Sequence, residues 1–313
     1  MKVIYMGTPE FAVPSLQAII NSNHEVVAVV TQPDRAVGRS KKLQPSPVKL
    51  FAEQHNIPVY QFNKIRLDGV DIINNIQADI IVTCAYGQIL SRDILFAKKY
   101  GVINIHGSIL PKYRGASPIQ SAIINGEKET GITILRSDVG IDDGDIILTK
   151  GLEIKPNETY GELAVRLAEL GSKAVIEALD SIEEGTATYT KQDDSIATHC
   201  TMFKSDFGKL DFNNDAHAIV NLINGISPSP VAYMHVNGAR YKIYNAHVVD
   251  TAEEYSGECG EVMVAKSKVG LYIKACNGIV SIDTIQAEGS KILTAKEFLN
   301  GNKIKLGDRV TNE

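Results

Sequence analysis

Short apolar runs at residues 2–6, 25–30, 79–85 and 102–106 alternate with segments near 11–21, 48–55, 70–76 and 116–125 whose apolar residues recur at helical spacing. This alternation is the strongest constraint on the fold. Runs that are apolar throughout suit strands buried on both faces, and parallel strands need crossovers between them. Gly, Pro and Asn mark the turns, as expected where the chain changes direction. The N-terminal half is therefore expected to be α/β, with a Rossmann-like, doubly wound, mostly parallel sheet. Residues 130–135 and 146–154 read as further strands, and 160–183 as a long helix that stops before Gly185. A first domain over 1–185 follows.

Beyond it the pattern changes. Residues 186–204 are polar and small and read as a linker, and a second domain is expected over 205–313. After one helix at 215–224, Asn237-Gly238 separates two strand-like runs and Asn277-Gly278 separates two more, the dipeptide favoured in two-residue hairpin turns. Repeated hairpins predict a small C-terminal OB-like β-barrel.

Composition narrows the function classes. With 44% apolar and 22% charged residues, the 313-residue chain can bury ordinary cores, enough for two domains. No apolar run approaches the ~20 residues that cross a bilayer, so no membrane role is expected. Cys84, Cys200, Cys259 and Cys276 lack C-x-x-C spacing, which disfavours a zinc site or disulfide framework and fits a reducing cytoplasm. A net charge of -5 still permits a local basic patch.

Gly7-Thr8-Pro9 stands where a dinucleotide fold carries G-x-G-x-x-G but lacks the later glycines; it is a tight turn or a contact for some anion other than a pyrophosphate. The run Val102-Ile103-Asn104-Ile105-His106 is more informative. Side chains alternate along a strand, so Asn104 and His106 share a face, at the carboxyl end where open α/β sheets place ligands. Either they satisfy buried backbone groups, or amide and imidazole together stabilise an oxygen that gains negative charge and move a proton. Asp138-Val139-Gly140-Ile141-Asp142-Asp143-Gly144-Asp145 departs from the EF-hand order. It is a solvated acidic turn, or it supplies a carboxylate that orients His106. His106 has no second metal ligand at suitable spacing, so no metal is expected, and Ser108 lies outside a G-x-S-x-G elbow. Residues 33–49 hold Arg35, Arg39, Lys41, Lys42 and Lys49 against Asp34, a balance of +4 in a chain of net -5. That segment is a solvated basic loop or a phosphate-binding one.

The ordered combination of Asn104-Ile105-His106-Gly107-Ser108-Ile109-Leu110-Pro111-Lys112-Tyr113-Arg114-Gly115, Gly131-Ile132-Thr133 and the 138–145 acidic stretch resembles the 10-formyltetrahydrofolate-dependent formyltransferases. The segment from Thr31 to Lys49 is similar to the basic loop of the methionyl-tRNA branch of that superfamily. The resemblance implies Asn104, His106 and Asp142 as the catalytic set, with protonated His106 and Asn104 meeting the formyl oxygen and Asp142 supporting the imidazolium. Ser108, Ile109, Leu110 and Pro111 would contact folate, Ile109 replacing the usual Leu. Tyr86, Gly87 and the backbone of Val139, Gly140 and Ile141 would line the pterin pocket. Arg39, Lys41, Lys42 and Lys49 would meet initiator methionyl-tRNA. It also implies a monomer whose second domain supports the tRNA. That domain has 11 basic and 13 acidic residues from Ser205 onward, and no Trp at Ser229 between Pro228 and Pro230, where relatives commonly carry one. Two rivals share parts of the pattern: a sugar-nucleotide amine formyltransferase, which needs no basic loop, and a non-catalytic RNA-binding protein.

Overall fold

Along the first apolar run Val3, Ile4, Tyr5 and Met6 have no exposed surface, and neither have Ile80, Ile81 and Val82 along the third, as strands covered on both faces require. The computed structural model describes residues 1–37, 42–204, 206–250, 255–301 and 303–311. β1 (Lys2–Gly7) leads through α1 (Val13–Ile20) to β2 (Glu25–Thr31). The antiparallel pair β3 (Arg35–Val37) and β4 (Lys42–Gln44), then α2 (Pro47–Gln54), precede β5 (Val59–Gln61). α3 (Ile65–Asp68) and α4 (Val70–Asn75) lead to β6 (Ile80–Cys84), and α5 (Arg92–Leu95) to β7 (Val102–His106). There follow β8 (Arg114–Gly115), α6 (Pro118–Ile124), β9 (Glu129–Arg136), β10 (Ile146–Glu153), α7 (Tyr160–Glu184) and β11 (His199–Cys200).

The main sheet runs β10-β9-β7-β6-β1-β2-β5. Its strands from β7 through β5 are parallel, and β9 is antiparallel to β7. The chain starts at the centre and winds outward both ways, so the order reverses between β1 and β6, and the carboxyl edge there is where this topology places ligands. α7 packs on the face of β7 opposite the site: a Cβ on Gly171 would lie 3.2 Å from Ile105 Cγ2. The helix ends at Gly185, whose φ of 72° is the left-handed cap conformation glycine adopts at no steric cost.

After α8 (Ala216–Gly225), β12 (Ala232–Val236) and β13 (Ala239–Val248) form a hairpin in which Asn237 and Gly238 have φ of 51° and 72°, the mirror-image turn that Asn-Gly predicts. β14 (Val262–Lys266), β15 (Gly270–Lys274), β16 (Ile279–Ala287), β17 (Leu293–Thr294), α9 (Ala295–Leu299) and β18 (Val310–Thr311) complete the antiparallel order β14-β15-β16-β13-β12-β18, with β17 on β16. A bridge from Glu261 to Arg309 and a bond from Val310 N to Gly260 O of 2.9 Å join the outer ends, so the sheet curls into a small barrel around Ile223, Met234, Ile243, Ile273 and Ile282. The second Asn-Gly behaves differently from the first. Residues 275–278 form a longer connection, and Asn277 Oδ1 accepts from Ala216 N at 3.0 Å, helping to cap α8.

The residues group into two units: Met1–Pro118, Thr130–Leu152 and Ala164–Cys200 in one, Ile119–Glu129, Glu153–Leu163 and Thr201–Glu313 in the other. The segment read as a linker therefore belongs, up to Cys200, to the first unit, where β11 pairs with β8.

Candidate active site

β7 ends at the carboxyl edge of the sheet with Asn104 and His106 on one face. The structure brings both to the turn between β9 and β10. Asn104 Nδ2 donates to Asp142 Oδ1 at 3.1 Å, and His106 Nδ1 lies 3.5 Å from Asp142 Oδ2. A carboxylate only accepts, so the Asp142 contact fixes the orientation of the Asn104 amide. Thr83 of β6 holds its other end, Thr83 Oγ1 donating to Asn104 Oδ1 at 2.9 Å. The second ring nitrogen of His106 is 2.9 Å from the Tyr113 carbonyl. That oxygen can only accept, so Nε2 carries a proton and Nδ1 is the nitrogen turned toward the carboxylate. Asp142 Oδ2 also accepts from Gly115 N at 2.9 Å. Asp142 has a φ of 51°, a left-handed conformation uncommon outside glycine that Asp tolerates better than most residues.

Two short strands position the remaining groups. β8 and the residue before it carry Tyr113's carbonyl and Gly115's N–H on either side of Arg114, and β11, which pairs with β8, fixes them together with the residue that leads into it: Tyr113 N donates to Thr198 Oγ1 at 2.8 Å and Arg114 N to Thr198 O at 2.9 Å. Gly115 has a φ of 114°, and a Cβ there would sit 2.2 Å from Cys200 O, so no other residue fits. From the same segment Gln192 Nε2 donates to Asp142 O and to Gly144 O, each at 2.8 Å. Sequence reasoning missed Thr83, Gln192 and the β8–β11 pairing. The signal available for the last segment was Asp193, an N-cap residue accepting from Ser195 N, more typical of ordered chain than of a linker.

The residues expected around folate are distributed as follows. Ser108 Oγ donates to Lys112 O at 2.6 Å, while Thr133 Oγ1 donates to Ser108 O at 2.7 Å and accepts from Leu110 N at 3.1 Å. Ser108 and Leu110 are thus buried in the turn after His106, and Ile109 and Pro111 are half-buried. Val139 and Ile141 are each 64% exposed beside Asp142, and Gly140 is exposed between them. Tyr86 turns its ring into the apolar cluster with Phe62, Ile94 and Leu95, while its carbonyl accepts from Thr8 Oγ1 and Gln32 Nε2, both at 3.0 Å. Gly87 follows in the left-handed region with a φ of 84°. A cavity of about 410 Å³ lies beside the acidic turn, walled by Phe96, Arg136, Asp143, Asp145, Lys191 and Gln192. None of the residues expected at the pterin lines it.

Of the expected RNA contacts, Arg39 and Lys41 lie outside the described residues, and Lys42 opens β4. Lys49 is engaged: its Nζ donates to Asp34 Oδ2 at 2.9 Å and to Gln61 Oε1 at 3.0 Å. Gln61, and after it Lys49, hold the Asp34 carboxyl below its usual range. Among the described residues no group of three or more His, Cys, Asp or Glu is arranged to hold a metal ion.

Residues 1–179 match the Formyl transferase family, and residues 202–303 match the Formyl transferase, C-terminal domain family. The chain is 46% identical to a methionyl-tRNA formyltransferase of Alkaliphilus metalliredigens, covering 98% of this chain and 97% of the relative. It is 42% identical to one of Agathobacter rectalis, covering 99% and 100%. Among solved structures, the sugar 3N-formyl transferase WlaRD, crystallised with dTDP and 5-N-formyl-THF, superposes with a TM-score of 0.70 at 24% identity, covering 93% of this chain and 99% of that one. By these full-length matches the chain belongs to the formyl transferase family, and within it to the methionyl-tRNA formyltransferases.

Proposed function

We propose that the chain moves a formyl group from 10-formyltetrahydrofolate to the α-amino group of methionyl initiator tRNA, in the cytoplasm, as a monomer. The observation that carries this reading is the meeting of Asn104, His106 and Asp142 at one sheet edge in a chain 46% identical to a methionyl-tRNA formyltransferase along 98% of its length. The exposed apolar side chains of Val139 and Ile141, with Gly140 between them, suit a flat pterin ring beside Asp142. When bound, the folate supplies the formyl carbon as the electrophile.

The rest of the chemistry is the chain's own. An α-amino group titrates near 8, so it must give up a proton before it attacks. One N–H of Asn104 is committed to Asp142, which leaves the second for the oxygen on which negative charge develops. His106, fixed through Nε2 to Tyr113, supplies the second donor through Nδ1 when protonated, and Asp142 balances that positive charge. As the amine attacks, its proton passes to the Asp142 carboxylate and from there to N10 of the folate as the bond between N10 and the formyl carbon breaks, so tetrahydrofolate leaves neutral and His106 keeps its charge throughout.

For the RNA we propose two regions. One is the basic loop with Arg39, Lys41 and Lys42, Lys49 anchoring its far end to Asp34. The other is the outward face of β12 and β13 in the second unit. From Ala216 through Val249 there is no carboxylate. On that face Arg240 lies 3.8 Å over the Tyr233 ring, and Lys242 stands opposite Tyr233 across the strands. Cations interleaved with an aromatic ring suit a phosphate backbone and stacked bases.

The test supplies labelled 10-formyltetrahydrofolate with charged initiator tRNA, charged elongator tRNA and a UDP-amino sugar in parallel. Label on the initiator alone is expected. Label on the sugar would move the chain to the amine formyltransferases of sugar nucleotides, and RNA binding with no labelled product would leave a non-catalytic RNA-binding protein.

A further inference from the structure

We propose that Gln192 is a positioning residue that sets the Asp142 carboxylate against His106 by gripping the main chain of the acidic turn; the inference rests on the formyl-transfer reading above. Its side-chain amide is fully used. Nε2 donates to Asp142 O and Gly144 O at 2.8 Å each, which accounts for both of its N–H groups, and Oε1 accepts from Arg114 Nε at 3.0 Å. One amide therefore ties together two carbonyls that flank Asp143.

The grip falls where the backbone needs it. Asp142 sits at a φ of 51°, and a non-glycine residue stays in that region only when its surroundings over-determine it. The direction of the Asp142 side chain follows from that backbone conformation, so the carbonyl held by Gln192 helps to fix the 3.5 Å approach of Oδ2 to His106 Nδ1.

Arg114 makes the arrangement a closed frame. Its guanidinium, 6% exposed, donates through Nη2 to Asp194 Oδ1 at 2.7 Å as well as to Gln192. The two backbone groups on either side of it are themselves site contacts, Tyr113 O with His106 Nε2 and Gly115 N with Asp142 Oδ2. Asp142 is thus held from two directions, its carboxylate by the β8 backbone and its carbonyl by Gln192, and the two holds are joined through Arg114.

Gln192→Glu keeps the shape and the acceptor toward Arg114 but sets an oxygen against both carbonyls. We expect kcat to fall on the order of 10- to 100-fold with KM for both substrates unchanged. We also expect the pH optimum to move to more acidic values, since only a protonated carboxyl can restore one donor. Gln192→Met, of similar length and without polar groups, should lose kcat without the pH displacement. The deciding measurement is a double-mutant cycle: in an Asp142→Asn background, Gln192→Glu should cost little further activity. Losses that multiply in the double variant, or single variants that keep wild-type kcat while folded, would overturn the proposal. Should Gln192→Glu fail to fold, the cycle with Gln192→Met decides. Absence of formyl transfer by the wild-type chain would instead count against the formyl-transfer reading.

Discussion

Asp142 is distinguished from the other carboxylates of its turn by the number of bonds it accepts. Its two oxygens receive Asn104 Nδ2 and Gly115 N and face His106 Nδ1. An amide in its place has one acceptor oxygen, so either Asn104 or Gly115 would face an N–H group. Asp142→Asn is therefore expected to reduce kcat sharply while KM for the RNA substrate stays unchanged, and Asn104→Ala to cost ~10²–10³-fold, as for one lost oxyanion donor. Steady-state kinetics with both substrates varied decide it; a matched rise in KM would place these residues in binding. Tyr86 offers a contrast. Its hydroxyl is buried without a hydrogen-bond partner, and burial first, then Asp68, raises its pKa. The unfolded phenol titrates near 10, so the stability carried by the neutral ring is complete below that pH and drains away as pH rises toward the higher folded value. Tyr86→Phe should stabilise the protein by about 1 kcal/mol at neutral pH, by removing an unsatisfied hydroxyl, and by more above pH ~10. Urea midpoints at both pH values test this. A drop in folate affinity with no gain in stability would return the hydroxyl to the pterin site.

Among the elements, the turn between β9 and β10 is held by packing as well as by hydrogen bonds. Gly144 is buried, and a Cβ there would sit 1.8 Å from Arg136 O, a backbone atom that the sheet cannot readily move. Gly144→Ala is expected to cost about 1–3 kcal/mol as overpacking and to reduce formyl transfer by pushing out the carbonyl that Gln192 grips. A thermal melt read beside the assay checks both, and full activity at wild-type Tm would show that the turn can yield. Periodicity made the strands, α7 and the first Asn-Gly hairpin legible in the sequence, because each buries one face and repeats with the period of its backbone. Asn104 and His106 were legible for a related reason: polar side chains at the end of an apolar strand need an explanation. Residues 186–200 were not legible. They attach through two side chains, Gln192 and Thr198, and through short backbone pairings, Thr190 with Ile146 and β11 with β8, to groups far away in sequence, and contacts so scattered leave no period. Asn277-Gly278 misled in detail for the same reason, its amide being used to cap α8 rather than to close a two-residue turn.

For the molecule as a whole, a division into 1–185 and 205–313 describes the order of the chain better than the way its cores are assembled. The second unit takes in Ile119–Glu129 and Glu153–Leu163, and these segments are bonded into it. Ile124 packs against its apolar cluster, Ile154 N donates to Lys128 O at 2.9 Å, and Gly161 N donates to Ser227 O at 2.9 Å. α8 approaches Ile124 so closely that a Cβ on Gly225 would lie 2.6 Å from its Cγ1. A fragment beginning at Thr201 would keep every strand of the barrel and lose both segments. Without them the half-buried Ile124 alone forfeits about 1 kcal/mol, the Ser227 carbonyl loses its donor, and the face of α8 around Gly225 meets water. The amides of β13 and β16 in such a fragment should therefore exchange with solvent faster than in the full chain under the same conditions. Hydrogen exchange read strand by strand makes the comparison directly, and is well suited to a chain without Trp. Equal protection in the two would mean that the barrel carries its stability alone and that the two segments are passengers on it.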